Sequence, residues 1–240
     1  MKAIDFNESD VRDFYRLLNH RHLTEMRFLK RGLFPAWKIV RSEDEFVEAA
    51  RKWNGKRNVY AGLRDRRPDL RRPANMYDIV GLQLTVLDID PIREAEVPST
   101  EEELKRAEEM ALLIADWFEE KGFLRPSIGM TGNGFALYFS MPYLEINDEN
   151  RFDVADRLSE FERGVRRVFR EDLRRLGCQI DSMYDLPRIG KVLGTLNVKG
   201  EDTPERPWRL SRFYEKFTSR REDHALLEVI MKSKLARDLF

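Results

Sequence analysis

The chain has 240 residues, 42% apolar and 36% charged, enough for one substantial core or two small lobes sharing a sheet. Its 43 acidic and 43 basic residues cancel, so no global charge draws it onto nucleic acid or membrane, and any such surface has to be a local patch. One cysteine, Cys178, excludes an internal disulfide or a cysteine-built zinc cluster, and three histidines (His20, His22, His224) disfavour a histidine-rich metal site, which leaves Mg²⁺, Mn²⁺ or Ca²⁺ as the metals that abundant carboxylates suit.

Residues 8–23 predict a first helix, with Val11, Phe14, Tyr15, Leu17 and Leu18 at helical spacing behind a cap at Asn7 or Ser9. Residues 24–30 and 36–41 read as short strands. From Ser42 the run SEDEFVEAARKWNG gives a cap, an acidic first turn, an apolar stripe and a closing Gly55, a helix. Residues 58–64 form the next strand. DRRPDLRRP, 65–73, has four arginines and two prolines and reads as an exposed basic loop. A long β run over 78–92 ends in acid, and 99–121 is a capped amphipathic helix. The strands 127–130 and 135–141 flank Thr131-Gly132-Asn133-Gly134, a hairpin signal. A long helix covers 148–176, and 178–184 and 206–214 read as strands. Residues 221–238 close the chain as a helix with Leu226, Leu227, Val229, Ile230 and Leu235 on one face. The order is that of one α+β unit. The N-terminal segment has no apolar core of a targeting signal and no stretch is of bilayer length, so a cytoplasmic protein without membrane contact is expected. Dense Arg, Lys and Glu also suits a hot-living organism.

Three constellations carry chemistry. In Leu87-Asp88-Ile89-Asp90-Pro91, strand alternation points Asp88 and Asp90 the same way, and a divalent cation relieves their repulsion. The same pattern also suits a strand running into an acidic turn. The glycine turn 131–134 lets backbone N–H groups approach an anion, with the Thr131 hydroxyl added; it equally suits a plain hairpin. Asp181-Ser182-Met183-Tyr184-Asp185, then Arg188, Lys191 and Gly194-Thr195-Leu196-Asn197-Val198-Lys199-Gly200, offers another acid and three cations able to meet a triphosphate.

Taken in order, VLDIDP, TGNG, an acid, a basic residue and GTLNVKG resemble the archaeo-eukaryotic primase and primase-polymerase superfamily, most of all its plasmid and viral branch. TEMR at 24–27 and NVYAGLR at 58–64 extend the resemblance over roughly residues 20–215. It implies an α+β fold of mixed sheets: an RRM-like catalytic sheet and a smaller α/β N-terminal module, flanked by helices. The divisions are 1–75 for that module, 76–215 for a metal and nucleotide module, and 216–240 for a C-terminal helix. It implies Asp88, Asp90 and Asp181 as ligands of Mg²⁺ or Mn²⁺, with Asp185 as the alternative third acid. Thr131, Gly132, Gly134, Arg188, Lys191 and Lys199 would bind a nucleoside triphosphate. The implied function is templated DNA synthesis or priming in replication or repair, on a DNA or RNA template or primer, with a helicase or other replication partner acting in trans. Ala136 stands where the superfamily has a nucleotide-gripping histidine, and Val192-Leu193 where it commonly has Leu-Pro. Three readings follow: an active enzyme with Lys191 or Arg188 replacing the histidine, a relative that binds nucleic acid or nucleotide without polymerising, or another phosphoryl-transfer enzyme on the same acids.

For nucleic acid, Arg64, Arg66, Arg67, Arg71 and Arg72 are the first basic candidates. Arg163, Arg166, Arg167, Arg170, Arg174 and Arg175, interleaved with acids, read as a salt-bridged solvent face. Trp37, Trp53 and Trp117 are expected to pack; Trp208 is the one left open for base stacking.

Overall fold

The computed structural model describes residues 5–216 and 221–232. Its elements are α1 (Glu8–Leu18), β1 (Thr24–Leu29), β2 (Ala36–Val40), α2 (Glu43–Trp53), β3 (Asn58–Gly62), β4 (Asp65–Arg66), β5 (Ile79–Pro91), α3 (Glu101–Glu120), β6 (Ser127–Met130), β7 (Phe135–Glu145), α4 (Arg151–Val168), α5 (Arg170–Leu176), β8 (Cys178–Asp181), β9 (Ile189–Lys191), β10 (Arg212–Glu215) and α6 (His224–Met231).

The starts of α1, α2, α3 and α6 are fixed by side-chain caps that satisfy orphan amides. Asn7 accepts from the Asp10 N–H at 3.2 Å and Ser42 from the Glu45 N–H at 3.3 Å. Thr100 and Glu103 form a reciprocal capping box at 3.1 and 2.9 Å. The helix expected over 148–176 is two helices meeting at Phe169, whose ring lies 5.9 Å from that of Trp117. The strand expected over 206–214 is confined to β10, preceded by a single bridge between Leu196 and Leu210. Asp223 caps α6. Leu235 and the rest of the expected helix beyond residue 232 lie outside the described residues.

The strands form two antiparallel sheets. The larger runs β10-β6-β7-β5-β4, with β8 also paired to β5; the smaller runs β2-β1-β3-β9. The smaller sheet, begun by the first sixty residues, is thus completed by a strand from far along the chain. Alternation along β5 and β7 gives the larger sheet two apolar faces. Leu87, Ile89, Phe135, Leu137 and Phe139 face the core built with α3–α6. Leu84, Val86, Ala136 and Tyr138 face a second core shared with α1, α2 and the smaller sheet. This second face carries the site.

Among the described residues no helix is long and apolar enough to cross a membrane.

Candidate active site

β5 continues past the edge of its core, and its alternation places Asp88 and Asp90 on the second face after Val86. β8 lies antiparallel against this end. Its register sets Asp181 opposite Asp88 and Gln179 opposite Asp90. Directly opposed residues share a face, so three carboxylates gather at one sheet edge. On the other flank of β5, β7 sets Ala136 opposite Asp88.

The three acids differ in their partners. Asp181 accepts a hydrogen bond from Gln179 Nε2 at 2.9 Å. Asp90 Oδ1 meets Arg93 Nη1 at 3.7 Å, and that guanidinium is pinned by the carbonyls of Pro91 (3.0 Å) and Val97 (2.9 Å). Asp88 makes no hydrogen bond or ion pair among the described residues. Burial, then the charges of Asp90 and Asp181, push its carboxyl well above the usual range, against the pull of Arg188 and Lys199. Burial also raises Asp90, opposed by Arg93 and Lys199.

These acids open onto a cavity of about 170 Å³ between the two sheets. The smaller sheet contributes Tyr60 and Lys191, the 195–199 loop Asn197 and Lys199, and the hairpin turn Thr131 and Asn133. Lys191 Nζ donates to the Leu196 carbonyl at 3.0 Å; burial pulls its pKa down to about 7. Burial, with Asp88 and then Glu96 nearby, pushes Tyr60 up to about 12. Lys199 Nζ stands 4.0 Å from Glu96.

The chemistry of this donor set suits a divalent cation: an unsatisfied, partly buried carboxylate beside two others. No three acidic, histidine or cysteine side chains among the described residues converge as a ready-made chelate. A hard ion here would complete its shell with water and substrate oxygens, as Mg²⁺ commonly does.

Several expected residues take other places. Gly132 and Gly134 do not line the cavity. Gly132, at φ +105, directs its N–H to Met130 Sδ, and a Cβ on it would meet Asn197. A Cβ on Gly134 would overlap Asp90 Oδ1 and the Ile89 carbonyl. Gly132 therefore serves close approach to Asn197, and Gly134 close approach to Asp90. Arg188 lies off the cavity wall, paired with Asp185 at 2.6 Å and donating to the Ser182 carbonyl.

The exposed basic loop is a correction. Arg64 and Arg66 are fully buried. Arg64 lies in the bend between β3 and β4 and Arg66 in β4, and both side chains turn inward. Arg64 donates to the carbonyls of Met183 (2.8 Å) and Asp185 (3.0 Å). Arg66 pairs with buried Glu25 at 3.3 Å and donates to the Pro187 carbonyl at 3.0 Å. Their work is to hold the segment after β8, and neither reaches solvent. Arg67 and Arg72 pair with Asp78 at 3.1 and 2.7 Å, while Arg71 is exposed. On α4 and α5, Arg175 pairs with Glu109 and Asp172 as a salt-bridged face would have it, whereas Arg166 pairs with buried Glu162 and donates to the Ile180 carbonyl.

Arg93, Tyr60, Asn133 and Asn197 were not singled out from sequence. Arg93 follows VLDIDP closely and Asn197 lies inside GTLNVKG, so both were within sight of the motifs.

A larger cavity of about 350 Å³ lies elsewhere, with Tyr138 as a wall common to both. Its Arg16, Arg125 and Lys216 are matched by Glu43, Glu215 and Asp13, so it lacks the uncompensated acids that distinguish the smaller one.

The fold, two antiparallel sheets flanked by helices, is that of solved primase catalytic domains. The catalytic domain of primase RepB', solved in complex with initiator DNA, matches at a TM-score of 0.53 and 12% identity, covering 96% of this chain and 95% of that one. A longer solved chain of primase RepB' matches at 0.52 and 13% identity, covering 95% of this chain; this chain spans 63% of its length. No family model and no curated protein matches the sequence.

Proposed function

We propose that this chain is a metal-dependent nucleotidyltransferase that extends or initiates a nucleic-acid strand on a template, in the cytoplasm. The observation that supports the reading is the register of Asp88 against Asp181, with Asp90 beside them and Lys191, Lys199 and Arg93 around the same cavity. In the reaction a 3′-hydroxyl gives up its proton to solvent as its oxygen bonds to the α-phosphorus of a nucleoside triphosphate, the bond from that phosphorus to the α–β bridging oxygen breaks, and pyrophosphate leaves. Asp88, Asp90 and Asp181 would hold Mg²⁺ or Mn²⁺, which supplies charge neutralisation and polarisation at the phosphoryl group. Lys191, Lys199 and Arg93 meet the triphosphate, and the Thr131 hydroxyl borders it. The protein's share is positioning and fixed charge.

The test is primer extension and de novo priming with Mg²⁺ or Mn²⁺, comparing wild type with Asp88→Ala and Asp90→Ala. Templated products from wild type that vanish in both variants support the reading. Wild-type inactivity with every nucleotide and template tried counts against it.

A second reading is favoured by Ala136. It sits between Asp88 and Gly129 in the sheet and borders the cavity, yet offers no donor and no charge. Under that reading the chain binds nucleotide or nucleic acid without joining it, and Ala136→His raises activity from a low base.

A further inference from the structure

The β1–β2 hairpin is unlike the rest of the surface. Residues 26–41 contain five basic residues and no acidic one, against an even balance over the whole chain. Arg27 is engaged by Glu25, and Arg41 by the Pro68 carbonyl. Lys30, Arg31 and Lys38 have no carboxylate partner among the described residues; Lys30 Nζ stands 5.6 Å from the Trp208 ring. Between these cations the tip holds large apolar side chains out in water: Phe34 is 93% exposed, Leu33 51% and Trp37 43%. The backbone beneath is fixed, because Arg57 donates to the carbonyls of Phe28 and Phe34. Exposed aromatics on a fixed, cationic hairpin mark a binding surface.

The sheet register says where that surface leads. Trp37 is opposite Arg27, Arg27 opposite Tyr60, and Tyr60 opposite Lys191. Directly opposed residues share a face, so these four form one row across the smaller sheet, roughly 14 Å over three strand spacings. Tyr60 and Lys191 at its inner end wall the acidic cavity. A lipid surface or a protein partner would suit the apolar tip and its cations. Neither accounts for a row that runs from the tip into the site.

We infer that the β1–β2 hairpin docks single-stranded nucleic acid on its way to or from the cavity. Phe34 and Trp37 stack on bases, and Lys30 and Arg31 meet phosphates. The inference rests on nucleic acid being the substrate class proposed above, but not on the acids being catalytic.

Binding of a fluorescein-labelled oligothymidylate, read by anisotropy across a KCl series without nucleotide or divalent ion, tests it. The Phe34→Ala/Trp37→Ala protein binds at least about thirtyfold more weakly at fixed salt, in line with the worth of two base–aromatic stacks. Lys30→Glu/Arg31→Glu lowers the log–log salt slope by about 1.4, roughly 0.7 for each phosphate of a single strand that the protein no longer neutralises. Asp88→Asn/Asp90→Asn still binds. Arg31, Phe34 and Trp37 are exposed and Lys30 half-buried, and unchanged thermal unfolding confirms that the fold is intact. Wild-type affinity in the aromatic variant overturns the inference. So does unchanged oligonucleotide binding accompanied by weakened binding to phosphatidylglycerol vesicles, or by weakened self-association in sedimentation, either of which reassigns the tip. If the hairpin variants weaken binding while wild type never extends a primer, the hairpin stands and the nucleotidyltransferase reading falls. Primer extension by wild type with hairpin variants that bind normally gives the converse.

Discussion

Asp88 and Asp181 face each other directly across two antiparallel strands, although three helices and a hairpin separate them in the chain. Neither is at a loop where repulsion could be relieved by drifting apart. Each is held by a strand whose alternate residues, Ile89 and Ile180, are locked in the core. Like charges so fixed are a standing cost that a counter-ion removes.

That cost predicts a gain on removing one charge. Asp88 has its pKa raised on folding. Its contribution is therefore neutral below the unfolded carboxylate range and turns unfavourable as pH rises through the folded value. At pH 7 without divalent ions, Asp88→Asn is expected to unfold at a higher temperature than wild type, by a few degrees for about 1 kcal/mol in a chain of this size. Added Mn²⁺ raises the melting temperature of wild type and leaves that of the variant nearly unmoved. A variant that melts lower than wild type in EDTA contradicts this.

Lys191 titrates near neutrality because burial disfavours its ammonium; its pKa falls from 10.5 to about 7. The folded value lies below the unfolded one, so its unfavourable contribution is complete below about pH 7 and fades as pH rises toward 10.5. A triphosphate placed against it favours the charged form. Calorimetry at pH 8 in buffers of differing ionisation enthalpy should show uptake approaching one proton per nucleotide bound, on the order of a full equivalent since the free amine is mostly neutral there. Uptake is small at pH 6, and Lys191→Met abolishes the buffer dependence.

Arg66→Met leaves buried Glu25 with Arg27 as its remaining cation among the described residues. The expected loss is about 1–3 kcal/mol in urea unfolding, the usual cost of removing a hydrogen-bonding partner inside a protein. Arg66→Met/Glu25→Gln recovers a large part of it. Equal losses in the single and double variants would show that the hydrogen bond to the Pro187 carbonyl, not the ion pair, matters.

Gly134→Ala adds a methyl where Asp90 Oδ1 and the Ile89 carbonyl already lie. Steric displacement there costs about 1–3 kcal/mol and moves Asp90. The stability loss should come with weaker Mn²⁺ binding, measured by electron paramagnetic resonance. Gly134 is not among the positive-φ glycines, so its loss reports the contact with Asp90 and Ile89 and not backbone strain.

The helices were legible because apolar spacing and caps are local: Asn7, Ser42 and Thr100 each act within three residues. The shared face of Asp88 and Asp90 was equally local, a matter of strand alternation. What could be expected of Asp181 came from motif order, since the register of β8 on β5 is set by core packing around Ile180 and Cys178, not by spacing. The arginine-rich run misleads through its composition. Prolines at 68 and 73 argue for a loop, whereas Arg64 and Arg66 precede them, in the bend before β4 and in β4 itself, and turn inward. Trp37, expected to pack, is exposed because β2 is the edge strand and the residue lies on the far side from α2. β9, only three residues long, carries no periodic signal at all.

That short strand has a consequence for dissection. Because β9 returns to hydrogen-bond with β3, a fragment starting near residue 76 would carry Lys191 without the edge that orders it, and the complementary N-terminal piece would present a bare β3 flank prone to sticking to its neighbours. The two pieces should be insoluble when made apart and recover when co-expressed, each supplying the other's missing border.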